Sequence, residues 1–231
     1  MRSLAEAKSL LSAARGDGLD PGVLPWLEAV LDETTAAGSS LPETGAGPGA
    51  ISLVTFILDE SAAAADVSDM LQQCYASAVR TLGIAEGGNG VYVSTWAYGT
   101  SRQLIGGFFP AEQAPLTLQR FLPSGKGALH DTVLSAFASQ VIAAQDAWRR
   151  GRPSINHVVL LSAGGDGASV TDPDGRGTLA VADALVEQAD YYLAFIGFGS
   201  SRPLDEAEGW KRAIELGFNN VLLGEDFLDT A

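Results

Sequence analysis

The fold is decided by residues 51–66, which read ISLVTFILDESAAAAD. The first eight of these residues are mostly apolar and β-branched, a pattern typical of a strand that a parallel sheet covers on both faces. The strand then delivers Asp59 and Ser61 to a loop. Because α/β folds bind ligands at the carboxyl ends of their parallel strands, we expect any functional site to lie at this loop.

Strand and helix patterns alternate from residue 51 onward. Gly99-Thr100-Ser101 joins two strand patterns and is short enough only for an antiparallel hairpin. Helices separate the other strands, which predicts parallel pairing. The predicted fold is α/β: a doubly wound, mostly parallel six-stranded sheet with one antiparallel edge strand, helices on both faces and an N-terminal helical segment. The predicted strands are 51–58, 90–98, 102–109, 155–162, 190–197 and 220–223, and the predicted helices are 66–83, 128–147, 178–189 and 205–216.

The chain before residue 51 divides into two parts. Apolar residues at helical spacing over 2–15 and 21–35 predict an appendage of two short helices within residues 1–37, with Asp20 as the N-cap of the second. Residues 38–50 are rich in Gly, Ser and Pro and predict a flexible linker. The linker contains LPETG at 41–45, which matches the sortase motif LPxTG but lacks the hydrophobic segment and basic tail that anchoring requires. Residues 51–231 form the main domain, and the sequence leaves open whether residues 1–50 are native or were joined from a partner.

Composition restricts the function classes. The net charge of −14 and the pI near 4.4 disfavour binding to nucleic acid or to an anionic membrane surface. No apolar run approaches the roughly 20 residues that span a bilayer, and we expect no secretory signal. Cys74 is the single cysteine, which excludes an intrachain disulfide and suits a reducing cytoplasm. The Ala- and Gly-rich composition hints at a bacterial source.

Three short strings and the order of elements over about residues 50–229 resemble a von Willebrand factor A (vWA) domain. The strings are Asp59-x-Ser61, GKGALHD at 125–131 and VVLLSAGGDGAS at 158–169. The resemblance implies a metal-ion-dependent adhesion site. In that family Asp-x-Ser-x-Ser, a Thr from a later loop and an Asp after the fourth strand hold a divalent cation, and an acidic residue of the partner completes its coordination.

This chain departs from the family at three of the five ligand positions. Ala63 replaces the second Ser, Gly127 the Thr and Ala163 the Asp. Only Asp59 and Ser61 retain side-chain oxygens, and Mg²⁺ gives up its water reluctantly. We therefore predict a vestigial site, with no metal and no cofactor. A rearranged site built from Asp66, Asp131 or Asp166 remains an alternative, and it would make the chain a divalent-cation-dependent binding domain.

The sequence gives little support for an enzymatic function. A strand ending in Asp59 is also found in haloacid dehalogenase-like phosphotransfer enzymes, but these carry a second Asp two residues later, where this chain has Ser61. No nucleophile, base and orienting group can be assembled from the sequence, so we expect no catalysis.

The predicted function is therefore a non-enzymatic protein-interaction module, a metal-independent adaptor or scaffold in a bacterial multi-protein system. The expected partner is another protein, and residues 1–37 could dock on the domain in the same chain or in another copy. We expect the partner to contact a rim of loops at the carboxyl ends of the strands, where residues 163–177 form a long, flexible and acidic loop. The predicted rim residues are Glu60, Lys126, His130, Asp166, Asp172 and Asp174.

Overall fold

The computed structural model describes residues 2–42, 49–84, 90–116, 118, 121–199 and 202–222. All six predicted strands are present, within two residues of their predicted ends, and a two-residue strand, β6, was not predicted. The strands are β1 (Ile51–Asp59), β2 (Val91–Tyr98), β3 (Arg102–Pro110), β4 (Ser154–Ser162), β5 (Tyr191–Gly199), β6 (Arg202–Pro203) and β7 (Asn220–Leu222).

The four predicted helices of the main domain are also present. They are α4 (Ser68–Ile84), α5 (Leu129–Arg149), α6 (Arg176–Val186) and α7 (Glu206–Glu215). A 3₁₀ helix over Ala62–Val67 precedes α4, so regular α-helical geometry begins at Ser68.

The sheet is mixed and mostly parallel, as predicted. Its order is β3-β2-β1-β4-β5, and both β7 and β6 pair with the outer edge of β5. β2 and β3 form the antiparallel hairpin, while β1, β2, β4, β5 and β7 run parallel. The carboxyl ends of β1, β4 and β5 therefore meet at one edge of the sheet, called here the upper edge, and their amino ends meet at the lower edge.

Helices cover both faces of the sheet. On one face, Phe56 and Leu58 of β1 pack with Leu71 and Tyr75 of α4. On the other face, Val158 and Leu160 of β4 belong to a larger core that contains the buried sides of α5 and α6. Among the described helices, none is long and apolar enough to cross a bilayer.

The N-terminal segment holds three helices rather than the predicted two: α1 (Leu4–Ala14), α2 (Leu24–Ala29) and α3 (Glu33–Gly38). The predicted helix over 21–35 is interrupted because the backbone of Asp32 is extended and its carboxylate accepts the N–H of Thr35 at 2.9 Å, which caps α3. Asp20 does not cap α2. Its carboxylate accepts the N–H of Gly22 at 2.8 Å within a turn, and α2 begins at Leu24.

The segment packs on α5 of the same chain. Residues 132–143 of α5 are buried on every side of the helix, because the sheet lies against one side and α1, α2 and α3 lie against the other. Leu10, Leu11 and Leu27 belong to the same buried cluster as Phe137. Helices of 11, 6 and 6 residues are marginal alone in water. Burial against α5 therefore accounts for their stability.

The boundary of the predicted linker is wrong at its start. Gly38 ends α3 and Ser39 is fully buried, so residues 38 and 39 belong to the packed segment. A Cβ on Gly38 would lie 2.7 Å from Cζ2 of Trp96 and 2.8 Å from Oγ of Ser139. The absence of a side chain at Gly38 therefore allows α3 to pack closely against Trp96 and Ser139. Residues 43–48, which include the ETG of the LPETG string, lie outside the described residues.

An ion pair ties the segment to the edge strand. Nη2 of Arg102 in β3 contacts the Asp32 carboxylate, and Nη1 of the same guanidinium donates to Oγ of Ser135 at 2.6 Å. Partial burial acts to raise the pKa of Asp32, but the Thr35 N–H and the charge of Arg102 outweigh it and leave the pKa below the ordinary value of 3.8.

We predict different costs for two substitutions of Asp32. Asp32→Asn keeps an oxygen for the Thr35 N–H and loses only the ion pair, so the free energy of unfolding should fall by about 0.5 kcal/mol. Asp32→Ala also loses the cap and should cost about 1 kcal/mol more. Denaturant unfolding of the three proteins measures both effects.

The ion-pair contribution should also depend on pH. Because the pKa of Asp32 is lower in the folded chain, its contribution is fully present above 3.8 and disappears as the pH falls through the folded value. The difference between wild type and Asp32→Asn should therefore vanish at the acid end of a pH series. A difference that persists there would show that the charge does not carry the effect.

Candidate functional site

The upper edge brings three loops together around the end of β1. Ala62–Val67 follows β1, residues 121–128 precede α5, and residues 163–175 connect β4 to α6. The N–H of Ala62 donates to the carbonyl of Gly125 at 3.0 Å, and the N–H of Gly167 donates to the carbonyl of Gly127 at 2.9 Å. The predicted positions 59, 61, 63, 127 and 163 therefore do lie at one edge.

Asp59 is fully buried, and backbone donors engage both of its carboxylate oxygens. Oδ1 accepts the N–H of Ser61 at 2.9 Å. Oδ2 accepts the N–H groups of Ala163 and Gly164, each at 2.8 Å. The donors come from the loops that follow β1 and β4, so the carboxylate joins two loops that are about a hundred residues apart in the sequence.

Gly164 lies directly over the carboxylate. A Cβ on this residue would lie 2.8 Å from Cβ of Ala63, 3.3 Å from Oγ of Ser61 and 3.5 Å from Oδ2 of Asp59. The small side chain of Ala63 and the bare Cα of Gly164 let the two loops approach this closely. The space beside Asp59 and Ser61 is therefore filled by the backbone of the loop after β4.

Gly127, which the resemblance aligns with a threonine, also has little space around it. A Cβ on Gly127 would lie 2.9 Å from the carbonyl oxygen of Gly165 and 3.1 Å from Cε2 of Tyr98. A threonine side chain cannot fit there unless the loop or the Tyr98 ring moves. Gly127 and the buried Tyr98 thus belong to one packing arrangement.

Tyr98 forms a hydrogen-bond chain under the site. Its hydroxyl lies 2.6 Å from Oγ of Ser162, and the Ser162 hydroxyl donates to the carbonyl of Gly164 at 2.9 Å. Complete burial, and next the negative charge of Asp59, raise the pKa of Tyr98 well above its ordinary value of 10.0. The phenol therefore stays protonated and donates to Ser162, which supports the loop from below.

Arg212 reaches the same loop from α7. Its Nη1 donates to the carbonyl of Ala163 at 3.3 Å, and its Nη2 pairs with Glu208 one turn earlier at 3.0 Å. Ala163 therefore donates its N–H to the Asp59 carboxylate, and its carbonyl oxygen accepts a hydrogen bond from the Arg212 guanidinium. No local sequence pattern indicates that Arg212 or Tyr98 belongs to this site.

The residues present do not fit a divalent cation in the family's manner. A cation beside Asp59 would have to displace N–H groups that point at the oxygens it needs, and Gly164 fills the adjacent space. The alternative carboxylates Asp131 and Asp166 also accept backbone N–H groups. Within the described ranges, no three His, Cys, Asp or Glu side chains converge on a point suitable for a metal.

Side-chain hydrogen bonds hold the backbone of residues 163–175, the acidic loop that the sequence predicts to be flexible, and α6 begins at Arg176. Asp131 at the start of α5 accepts the N–H groups of Val170, Thr171 and Asp172 at 2.8–3.0 Å. Asp166 accepts the N–H of His130 at 3.2 Å. The carboxylates of Asp131 and Asp166 therefore accept hydrogen bonds from backbone N–H groups of the loop and of α5.

Asp172 must be removed from the predicted rim. It is fully buried, and its carboxylate accepts the N–H of Gly177 at 3.1 Å and the N–H of Thr178 at 2.7 Å. These groups lie in the first turn of α6, where backbone donors lack intrahelical partners. Asp172 is thus an internal helix cap, and its negative charge also suits the positive end of the helix dipole.

The other predicted rim residues differ in exposure. Lys126 and Asp174 are exposed, and Asp174 pairs with Arg176 at 3.0 Å. Glu60 is half-buried and accepts the N–H of Leu122 at 2.8 Å. The side chains of His130 and Asp166 are only 15% and 10% exposed, with Nδ1 of His130 3.0 Å from the carbonyl oxygen of Asp172.

Comparisons with known proteins give a fold and no family. No family model matches the chain, and no curated protein matches it. The PilB minor pilin from Streptococcus sanguinis superposes with a TM-score of 0.51 at 11% identity, over 83% of this chain and 62% of the pilin chain. The D319A mutant of that pilin gives 0.52 at 12% identity, over 78% and 60%.

The ArnB paralog VWA2 from Sulfolobus acidocaldarius is also similar, with a TM-score of 0.41 at 16% identity over 68% of this chain and 37% of that one. A score this low supports no conclusion. The chain spans about three fifths of the length of the pilin chains. The comparisons therefore show that this chain shares an α/β fold with the pilin. They show nothing about the activity of this chain.

Substitutions at Asp59 and Ser61 should distinguish a carboxylate that only accepts backbone hydrogen bonds from a site that binds a metal ion. Asp59→Ala leaves three buried N–H groups without an acceptor, so the free energy of unfolding should fall by about 3 kcal/mol or more. Ser61→Ala removes a buried hydroxyl that has no partner in the described part of the chain, so it should change stability by less than about 1 kcal/mol.

Both variants are measured by denaturant unfolding, with the slope of the transition checked against wild type. In a protein whose serine binds an ion, the two losses would be comparable whenever the ion is present. A large loss for Ser61→Ala would therefore contradict the hydrogen-bonded site.

Proposed function

We propose that this chain is a vWA-like protein-interaction module that works without a divalent cation. The observation that carries the proposal is the carboxylate of Asp59, whose two oxygens accept three backbone N–H groups in the place where the family binds its ion. These donors supply the positive electrostatic potential that a cation would otherwise supply. The upper edge is thereby fixed as a rigid surface.

The vWA-like assignment rests on sequence and topology together. The strand order β3-β2-β1-β4-β5 with its antiparallel β3 agrees with the topology expected from the resemblance, and Asp59 and Ser61 stand at the end of the central strand. The three substituted positions all lie within the same upper-edge arrangement. The similarity to the pilin supports the α/β fold, and the assignment to the vWA type remains the proposal.

A phosphotransfer role of the haloacid dehalogenase type agrees poorly with this geometry. A nucleophilic carboxylate needs a free oxygen facing a cleft, whereas Asp59 is 0% exposed and both of its oxygens are engaged. The Tyr98 phenol beside it is buried and stays protonated. We therefore propose that the chain binds and does not catalyse.

The contact surface we propose is the exposed part of the rim. Leu122 and Val170 are 71% and 85% exposed and stand on two of the loops at the upper edge. Lys126 and Asp174 add charges of opposite sign on the same loops. Protein contact surfaces combine an apolar centre with a polar rim, and these four residues supply both kinds of side chain. The Asp131 carboxylate accepts the N–H of Val170 and holds the loop there, so little conformational entropy would be lost when a partner binds.

Divalent cations should leave the stability of the protein unchanged. A site occupied at a hundred times its dissociation constant would add about 2.7 kcal/mol, which raises the melting temperature of a domain of this size by about 5 °C or more. We expect no such rise with magnesium or manganese chloride, and no fall with EDTA, relative to sodium chloride of equal ionic strength. A saturable rise abolished by Asp59→Asn would contradict the metal-independent function.

Partner binding should depend on the rim and survive EDTA. Leu122→Asp and Val170→Asp place charges on the proposed surface and should abolish capture of proteins that the wild type retains from a cell extract. Ile84→Asp is the matched control, since Ile84 is 80% exposed at the end of α4, away from the upper edge. Equal losses in all three variants, or losses in none, would remove the rim as the contact surface.

A further inference from the structure

The lower edge of the sheet carries a cavity at the end opposite the rim. It has a volume of about 380 Å³ and lies where Ser154 begins β4 and Tyr191 begins β5. Asp17 of the N-terminal segment forms part of its wall. A volume of this order lies at the small end of ordinary ligand pockets, which suits one long side chain or a small molecule.

The cavity is lined by acids and has no cationic side chain among its described lining residues. Asp17 and Asp190 supply two carboxylates. Asp190 has no ion-pair partner in the described part of the chain. The net charge of −14 adds a background potential of the same sign. A cation is therefore the ligand that this cavity favours.

A buried polar network fixes the position of Asp190. Nδ2 of Asn156 donates to Oδ2 of Asp190 at 3.1 Å, and Asn156 is fully buried. Gln140, also fully buried, donates to the carbonyl of Leu53 at 2.9 Å and lies 3.4 Å from Oδ1 of Asn156. Burial leaves the charge of Asp190 poorly solvated and so raises the pKa of its carboxyl. A cation within the cavity would offset that cost.

Trp148 supplies an aromatic wall. It lines the cavity from α5 and is 60% exposed, although most large apolar side chains of this chain are buried. The face of an indole attracts cations, and a planar guanidinium stacks on it better than an ammonium does. The fork of donors on a guanidinium also matches a carboxylate in a bidentate manner.

We propose that this cavity binds the guanidinium of an arginine side chain from a partner polypeptide, with the charge on Asp190 and the plane of the group over Trp148. The site lies at the opposite edge from the rim and does not depend on the proposed function of that surface. It requires the N-terminal segment, because Asp17 forms part of the wall.

The test uses the full chain and three probes of matched shape. N-acetyl-arginine amide carries the guanidinium, N-acetyl-citrulline amide has nearly the same shape without the charge, and N-acetyl-lysine amide carries an ammonium. Binding is followed by the NMR signals of the indole N–H groups, with the Trp148 signal assigned by its loss in Trp148→Phe. We expect saturable shifts of that signal with the arginine probe and affinities at least about tenfold weaker for the citrulline probe, which corresponds to one charge-assisted hydrogen bond.

Two variants and a control locate the site. Asp190→Asn keeps an oxygen for Asn156 and removes the charge, so the fold should persist while affinity for the arginine probe falls about tenfold. Trp148→Ala should weaken binding in the same direction. Asp66→Asn removes an equal charge from an exposed position on the upper-edge 3₁₀ helix and should change nothing. Circular dichroism melting verifies that each variant is folded.

Each outcome decides the proposal. Tighter binding of a short arginine-containing peptide than of the amide supports a polypeptide source, and equal binding of free arginine supports a small guanidinium compound at the same site. Absence of saturable binding by the wild type, equal affinity for the citrulline probe, or unchanged affinity in Asp190→Asn would each overturn it.

Discussion

A single buried carboxylate determines the upper edge of this protein. Removing Asp59 from water is costly, and the chain offsets that cost with three N–H groups from two loops. The loop after β4 must then lie close to the sheet, which requires a glycine at 164 and a small residue at 63. Two of the three positions that lack the expected ligands, Ala63 and Gly127, are therefore positions where this closed arrangement requires a small residue.

The fold could be predicted from sequence because several signals agreed. Apolar strands, helices at regular spacing and a three-residue hairpin all pointed to one parallel sheet, and they recovered every main strand and helix after residue 51. The N-terminal segment was harder to predict, because its composition indicates a linker while its packing requires a helix end. Gly38 and Ser39 have the composition of a linker, but the glycine is needed for contact with Trp96. One signal could have corrected this interpretation: apart from Gln140, residues 132–143 of α5 are all apolar or small, which indicates a helix segment covered on both sides.

The positions of the candidate site could be predicted, but their partners could not. The sequence predicted one shared edge for Asp59, Ser61, Ala63, Gly127 and Ala163, because the carboxyl ends of the parallel strands could be located from the sequence. It could not show that Asp172 turns inward to cap α6, because an acid in a polar loop reads as exposed until the helix start is known. No local pattern marks Tyr98, and Arg212 is brought to the site by a helix about fifty residues further along the chain. Such contacts depend on three-dimensional packing that no local pattern encodes.

The double coverage of α5 has a consequence for cooperativity. The backbone amides of residues 132–143 can reach solvent only if the N-terminal helices or the sheet come away. Their hydrogen exchange should therefore be the slowest in the molecule and should report global opening rather than local fraying. Since the same helix contacts both layers, the loss of either layer would also weaken the other, and the two parts should melt as one unit.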